Sequence, residues 1–333
     1  MTPELVVLGI IALALVAYVL GGGADFGAGL WDLLARGPRK SAQRELIENE
    51  IGPVWEANHV WFIFVFVVLF TGFPSAFTVI TSGLFTVLTI YAVGLVLRGT
   101  AFTFRHYDSR RALKRPWGIG FSVASLVCPF LLGFMGALLL RAAPLDEGPI
   151  DAFTIASGAF VVALVAALAA SYLAVAARDP ELARDFRLRT RAALIAAGVL
   201  SVASLAASRG SAPRLLSNDP TTWLHPMMVG IAPICGLLAL ALLWKRRDRL
   251  ARIFVALTAT SVVVLWGLAM GSRLAPPTSG ITSTIATTKA HEGTLWFLIV
   301  ASALGGVLLV PSIAILFRVF HQNQKEAPKE GSS

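Results

Sequence analysis

Nine stretches of this chain are long and apolar enough to cross a hydrocarbon core, and they leave little sequence for anything else. A core about 30 Å thick needs roughly 20 residues of helix. The stretches are Leu5 to about Leu34, Pro53 to Phe73, Ala76 to Leu97, Trp117 to Leu140, Phe153 to Ala177, Arg191 to Ser208, Trp223 to Trp244, Ile253 to Gly271 and Gly293 to Phe317. The sixth is short and rich in alanine. Several begin or end on tryptophan (Trp55, Trp117, Trp223, Trp244, Trp296), as helices anchored at a membrane interface do. With 56% of its 333 residues hydrophobic and 14% charged, the chain falls outside the range of soluble domains. The expected fold is an all-α integral membrane protein. Residues 1–318 form one polytopic domain, and 319–333 form a polar tail.

The loops test this count independently. All but five of the 28 lysines and arginines fall in loops one, three, five and seven and in the C-terminal tail; the five are Arg141, Arg209, Arg214, Arg273 and Lys289. Basic residues mark the cytoplasmic side, so the N-terminus is expected outside and the C-terminus inside. Without the sixth span the alternation fails. The same clustering argues against reading the net charge of +9 as a nucleic-acid site. The first apolar run has no basic region before it and no small-residue cleavage site after it, so it reads as a retained helix. Cys128 and Cys235 each sit beside a proline inside an apolar run, which argues against a disulfide framework and against a Cys/His zinc site. In the first cytoplasmic loop, Arg36–Glu50, charges alternate in sign and predict a short surface helix.

Two segments carry chemistry. GGGADFGAGLWD, residues 21–32, places Asp25 about 20 residues into the first helix, near its inner end. IGPVWEANHVWF, residues 51–62, places Glu56 at the start of the second helix on the same side. An acid at membrane depth costs about 3 kcal/mol on insertion scales and tends to face a bundle interior or a water path. A proton relay through Asp25 and Glu56 is one reading; hydrated helix-end carboxylates at the interface are the other. Gly23 and Gly27 allow another helix to approach closely under either reading. In the second segment Trp55, Asn58 and His59 share a helix face, with Glu56 alongside and Trp61 following. An acid, an amide and an imidazole so placed can hold water or pass a proton, or can be polar members of an aromatic belt. Arg98, closing the third span, either snorkels toward the inner surface or pairs with a buried acid.

Of the five histidines only His59 lies near the membrane interior. His106 and His321 are in basic segments, and His225 and His291 border outer loops, so neither a haem nor a metal ion is expected within this chain.

At these two segments the sequence resembles subunit II of the cytochrome bd type quinol oxidases. That family carries D-G-F-D-x-G-x-G at the end of helix one, where this chain has Gly22-Gly23-Ala24-Asp25-Phe26-Gly27-Ala28-Gly29. It also carries P-x-W-D-G-N-x-V-W at the start of helix two, where this chain has Pro53-Val54-Trp55-Glu56-Ala57-Asn58-His59-Val60-Trp61. The segment Trp266–Ala290 is similar to the family's eighth helix and the outer loop after it. The departures are Gly22 for the first acid, Ala24 for the aromatic residue, Glu56 for Asp, Ala57 for Gly, and His59 where Gln is common. They fit a divergent branch, cyanide-insensitive among the options.

The resemblance implies nine helices and a place in the bacterial inner membrane. It implies a partner subunit I that binds two b-type haems and one d-type haem, oxidises quinol near the outer face and reduces oxygen to water, with a small single-helix subunit as a further partner. This chain would be the haem-free partner of an electrogenic oxidoreductase in aerobic respiration. Asp25 and Glu56 match acids that feed cytoplasmic protons toward the oxygen-reducing haem, and Asn58 and Trp61 match their polar and aromatic support. His59 is a local substitution. A secondary transporter or proton channel is the alternative class, since intramembrane acids and glycine-rich breaks also mark substrate sites. Against it, no matching broken helix occurs in the second half of the chain.

Overall fold

The computed structural model describes residues 2–51, 55–107, 111–145, 150–216, 224–276 and 283–326. It describes their side chains except at 51, 55–57, 106–107, 111–115, 214, 216, 224–226, 310 and 313–326. The helices are α1 (Pro3–Leu33), α2 (Lys40–Ile51), α3 (Trp55–Gly72), α4 (Pro74–Gly83), α5 (Phe85–Tyr107), α6 (Arg111–Leu140), α7 (Ala152–Ala176), α8 (Pro180–Ser211), α9 (Leu224–Trp244), α10 (Asp248–Met270), α11 (Ile285–Thr288) and α12 (Glu292–Glu326). The only β pairing among the described residues is an isolated bridge between Arg273 and Thr284.

Among the described residues, eight helices are long and apolar enough to span a membrane: α1, α5, α6, α7, α8, α9, α10 and α12. The expected second span is the helix α3, whose described apolar part, Asn58–Gly72, is shorter. The expected third span, Ala76 to Leu97, is not one helix. Pro74 starts α4, which ends at Gly83, and α5 begins at Phe85 and continues into the segment counted as loop. Leu145, from the connection after α6, packs where a side chain on Gly83 would stand, with its Cβ 2.5 Å from that position. The alanine-rich sixth span belongs to a 32-residue helix that starts eleven residues earlier than expected, because Asp179 accepts from the Glu181 N–H as N-cap and Pro180 is the first helical residue. The last helix reaches Glu326, eight residues into the expected tail. The predicted surface helix in the first loop is α2.

The core is built around α7. Its midsection, Ala163–Ala174, is almost wholly buried against α1, α6, α8 and α10. A helix that is apolar all round suits such a position, and the alanines set how near its neighbours come. On α1 the buried positions Val7, Ile11, Ala14, Tyr18, Gly22, Asp25, Gly29 and Asp32 advance by threes and fours, one stripe facing the bundle. Two aspartates therefore sit on the stripe that elsewhere carries apolar side chains.

Candidate functional site

The site begins where α1 is stripped of side chains. A Cβ on Gly27 would lie 2.0 Å from the carbonyl oxygen of Val165, so the backbones of α1 and α7 touch there. Gly23 packs on Val165 and Leu168, and Gly29 on Ser125 and Phe121 of α6. These close approaches draw α6 and α7 around the turn that holds Asp25. The glycine-rich sequence thus packs one face of α1 and leaves the adjacent face to a charge.

Asp25 is 2% exposed and meets Arg98 of α5, itself 1% exposed. Arg98 Nη1 donates to Oδ2 at 2.7 Å and Nη2 to Oδ1 at 2.6 Å, a bidentate pair, and Nη2 reaches the Asp25 backbone oxygen at 3.2 Å. Arg98 Nε donates to the Ser125 hydroxyl at 2.9 Å. The guanidinium also lies over the rings of Phe26 and Phe121, 5.1 and 4.8 Å from their centroids. Arg98 therefore does not snorkel. Its fork geometry fills both carboxylate oxygens, and the pair enters the core net neutral, which removes much of the cost of burying either ion alone.

His59 completes the site from α3. Its Nε2 lies 3.8 Å from Asp25 Oδ2 and its Nδ1 lies 3.5 Å from the Tyr18 hydroxyl. The Tyr18 hydroxyl also hydrogen-bonds that of Tyr91 on α5, and both tyrosines are buried. Both imidazole nitrogens thus face partners within this chain, and His291 Nδ1 accepts from the Gly293 N–H. The side chains of His106, His225 and His321 lie outside the described residues. Among the described residues no group of three or more His, Cys, Asp and Glu side chains could hold a metal ion. Cys128 and Cys235 are buried and free.

The other residues expected at the site divide. Asn58 is brought in: its Oδ1 lies 2.6 Å from where a Cβ on Gly21 would be. Trp61 packs on the aromatic and aliphatic cluster around Tyr18 and Tyr91. The side chains of Glu56 and Trp55 lie outside the described residues. Gly22, where the family motif has its first acid, lies against Tyr18: a Cβ there would meet the Tyr18 ring at 2.9 Å, so any side chain at this position requires that ring to shift.

Sequence reasoning missed a second pair. Asp32, 3% exposed, takes Arg105 Nη1 on Oδ2 at 2.7 Å and Nη2 on Oδ1 at 3.2 Å, with Arg44 Nε of α2 3.5 Å from Oδ1. Asp32 lies seven residues after Asp25, and Arg105 seven after Arg98. The signal was present as this matched spacing, two helical turns on each helix. It also means that α1 and α5 run in the same direction, with the two pairs as rungs about 10 Å apart along α1.

Comparison with known proteins agrees with this architecture. The family model described as cytochrome bd terminal oxidase subunit II matches residues 3–320. The cytochrome bd ubiquinol oxidase subunit 2 of Bacillus subtilis (strain 168) is 30% identical over 137 residues, which span 41% of this chain and 40% of that protein. The cytochrome bd-I ubiquinol oxidase subunit 2 of Escherichia coli (strain K12) is 21% identical across 92% of this chain and 90% of its own. A chain in the solved structure of bd oxidase from Geobacillus thermodenitrificans superposes with a TM-score of 0.80 at 21% identity, covering 96% of this chain and 99% of that one.

Proposed function

This chain belongs to the cytochrome bd terminal oxidase subunit II family, and we propose that within such an oxidase it is the haem-free subunit that admits protons from the cytoplasm. The protons serve the reduction of oxygen to water in a haem-bearing subunit I. The haems of that partner, of b and d type, supply the electron transfer and oxygen chemistry, with quinol as the electron donor. Nine spans, N-terminus outside and C-terminus inside, give one membrane domain over residues 1–318 and a cytoplasmic tail over 319–333. The parallel course of α1 and α5 supports that alternation, since spans one and three must run the same way. The setting is the bacterial inner membrane, and a small single-helix subunit is a further partner.

The observation that carries the reading is the buried Asp25 carboxylate with His59 3.8 Å away. Arg98 fixes the carboxylate, and Tyr18 orients the imidazole from its other nitrogen. His59, 17% exposed, is the least buried member of this group, so a proton that reaches Asp25 can leave through the imidazole toward the partner. Glu56, three residues before His59 on α3, is the second acid of the path, with Asn58 and Trp61 as support. A secondary transporter is disfavoured by packing: Asp25 is enclosed by side chains and bare helix backbone, whereas a carrier needs a cavity for its solute.

The test is made on the assembled complex. Purified with its neighbours, the chain should bring down a haem-bearing partner and quinol oxidase activity. Asp25→Asn and Glu56→Gln should then slow turnover and charge translocation together. Unchanged turnover and charge movement in assembled variants would reduce both acids to structural residues.

A further inference from the structure

Below the Asp25 rung a cleft opens toward the basic face, between α1, α2, α5 and α6. It is lined by Asp32, Arg44, Ile47, Glu48, Phe102, Arg105 and Phe121 and measures about 330 Å³ counting the part open to solvent. The space within it that the centre of a water molecule can occupy is about 10 Å³, room for about one water. The inner wall is Phe121, the ring that also covers the Arg98 guanidinium. Beside it the Ser125 hydroxyl accepts from Arg98 Nε and rests against Gly29, between Asp25 and Asp32 on α1.

We propose that Asp32 is the intake residue of the proton path, taking protons from the cleft and handing them up the α1 stripe to Asp25. The inference rests on the proton-supply reading above and adds a residue outside both motifs. The two rungs differ in the way such a role needs. Both oxygens of Asp25 are gripped at 2.6 and 2.7 Å, with no solvent side. Asp32 lines the cleft and has one oxygen gripped at 2.7 Å, while Oδ1 is held at 3.2 Å by Arg105 and 3.5 Å by Arg44. Arg44, 39% exposed on the surface helix α2, also donates to the Asp32 backbone oxygen at 3.3 and 3.4 Å, and its swing to solvent would leave Oδ1 with Arg105 alone and a side for water. The charged groups facing Asp32 are Arg44 and Glu48 from α2 and Arg105 from α5; α6 presents Phe121. The step is a proton hop: Oδ1 gains a proton from cleft water and releases it inward to the Ser125 oxygen, which in turn gives up its own hydroxyl proton, donated in this structure to the Phe121 carbonyl oxygen, toward Asp25.

The experiment uses the whole oxidase in vesicles, measuring oxygen-driven proton uptake from the basic face and turnover against pH. Asp32→Asn is expected to slow uptake about tenfold, with the deficit growing as pH rises, and Asp32→Glu to restore it. The charge-balanced double variant Asp32→Asn/Arg105→Gln separates relay from brace, because it removes the carboxyl without leaving a lone guanidinium. If it assembles with full haem content and takes up protons within about twofold of the wild type at all pH values, Asp32 only braces α1 and the inference falls. Asp25→Asn keeps the two readings apart: slow uptake there with normal uptake in the Asp32 variants sinks the intake role alone, and normal uptake in both sinks the proton-supply reading. Should the carboxyl variants fail to assemble, Phe102→Cys on the cleft wall is modified from the basic face with a charged, membrane-impermeant thiol reagent. Modification that slows uptake supports the intake; complete modification without effect, or no modification of a cleft meant to be wet, overturns it.

Discussion

The two ends of the bundle each join an aspartate to an arginine, and they use the same groups differently. On the basic side Asp25 and Arg98 are fully buried and meet through a fork at 2.6 and 2.7 Å. At the opposite end Asp151 sits before α7, and Arg141 stands off at 3.7 Å, its Nε making no hydrogen bond with any described residue. Asp151 is occupied elsewhere: its carboxylate accepts from the Thr154 N–H, while the Thr154 hydroxyl returns to the Asp151 backbone, a capping box. An acid next to free backbone donors spends itself on a helix end. An acid in mid-helix, where every backbone donor is already used, needs a side-chain cation, and at membrane depth that cation must come from another span.

The contrast is sharpest in the arginines. Arg98→Leu strands the Asp25 carboxylate and should cost about 3–5 kcal/mol, enough to remove the oxidase from membranes. Asp25→Leu/Arg98→Leu removes both charges and should restore assembly and thermal stability nearly to the wild type, since apolar replacement of a buried pair is often neutral. Proton-coupled turnover should stay slow in the double variant. Wild-type turnover in it would make the pair packing alone.

A smaller effect belongs to the backbone contact that places the pair. Gly27→Ala puts a methyl 2.0 Å from the Val165 carbonyl oxygen, so α1 and α7 must part. The expected loss is about 1–3 kcal/mol, read as a lower unfolding temperature of the complex, with turnover falling because Asp25 moves from His59. Gly9, with nothing near its added Cβ, is the control, and equal losses at both positions would contradict the close approach.

Most of the bundle was legible because membrane-spanning helices must be apolar for about 20 residues, which leaves a long and regular trace. What failed to show were the places where that rule relaxes. The start of α8 is charged, so Arg184, Arg187, Arg189 and Arg191 read as loop, although Asp179-Pro180 is a helix-start signal in its own right. The end of α4 at Gly83 falls inside an apolar run, where hydropathy alone passes over a glycine stop; Leu145, more than 60 residues away in sequence, packs where a side chain on Gly83 would stand. In the site, Asp25 and His59 stood out as polar residues in apolar surroundings. Arg98 stood out only as an arginine that either snorkels or pairs, and Arg105 did not stand out, because arginines at span ends are ordinarily topology markers. Which of the two holds depends on where two helices run, and for the second pair the matched seven-residue steps on α1 and α5 were the hint.

The mildest test returns to the opposite end. Burial pushes the Asp151 carboxyl up, but the hydrogen bonds from Ser211 and Thr154 and the nearby Arg141 outweigh it and hold the group below its ordinary range. A carboxyl so lowered contributes stability above the ordinary carboxylate range and loses it as pH falls through the lowered value, so the cap weakens only in acid. Asp151→Ala should cost about 1 kcal/mol near neutral pH, a lost N-cap, and should leave proton uptake unchanged. Asp151→Asn keeps an acceptor for the Thr154 N–H and should be nearly silent at neutral pH, but thermal unfolding of the complex should lose the part of its acid dependence that this carboxyl supplies. A slowed proton uptake in either variant would mean that the two ends are coupled, and that the capping acid does more than close its helix.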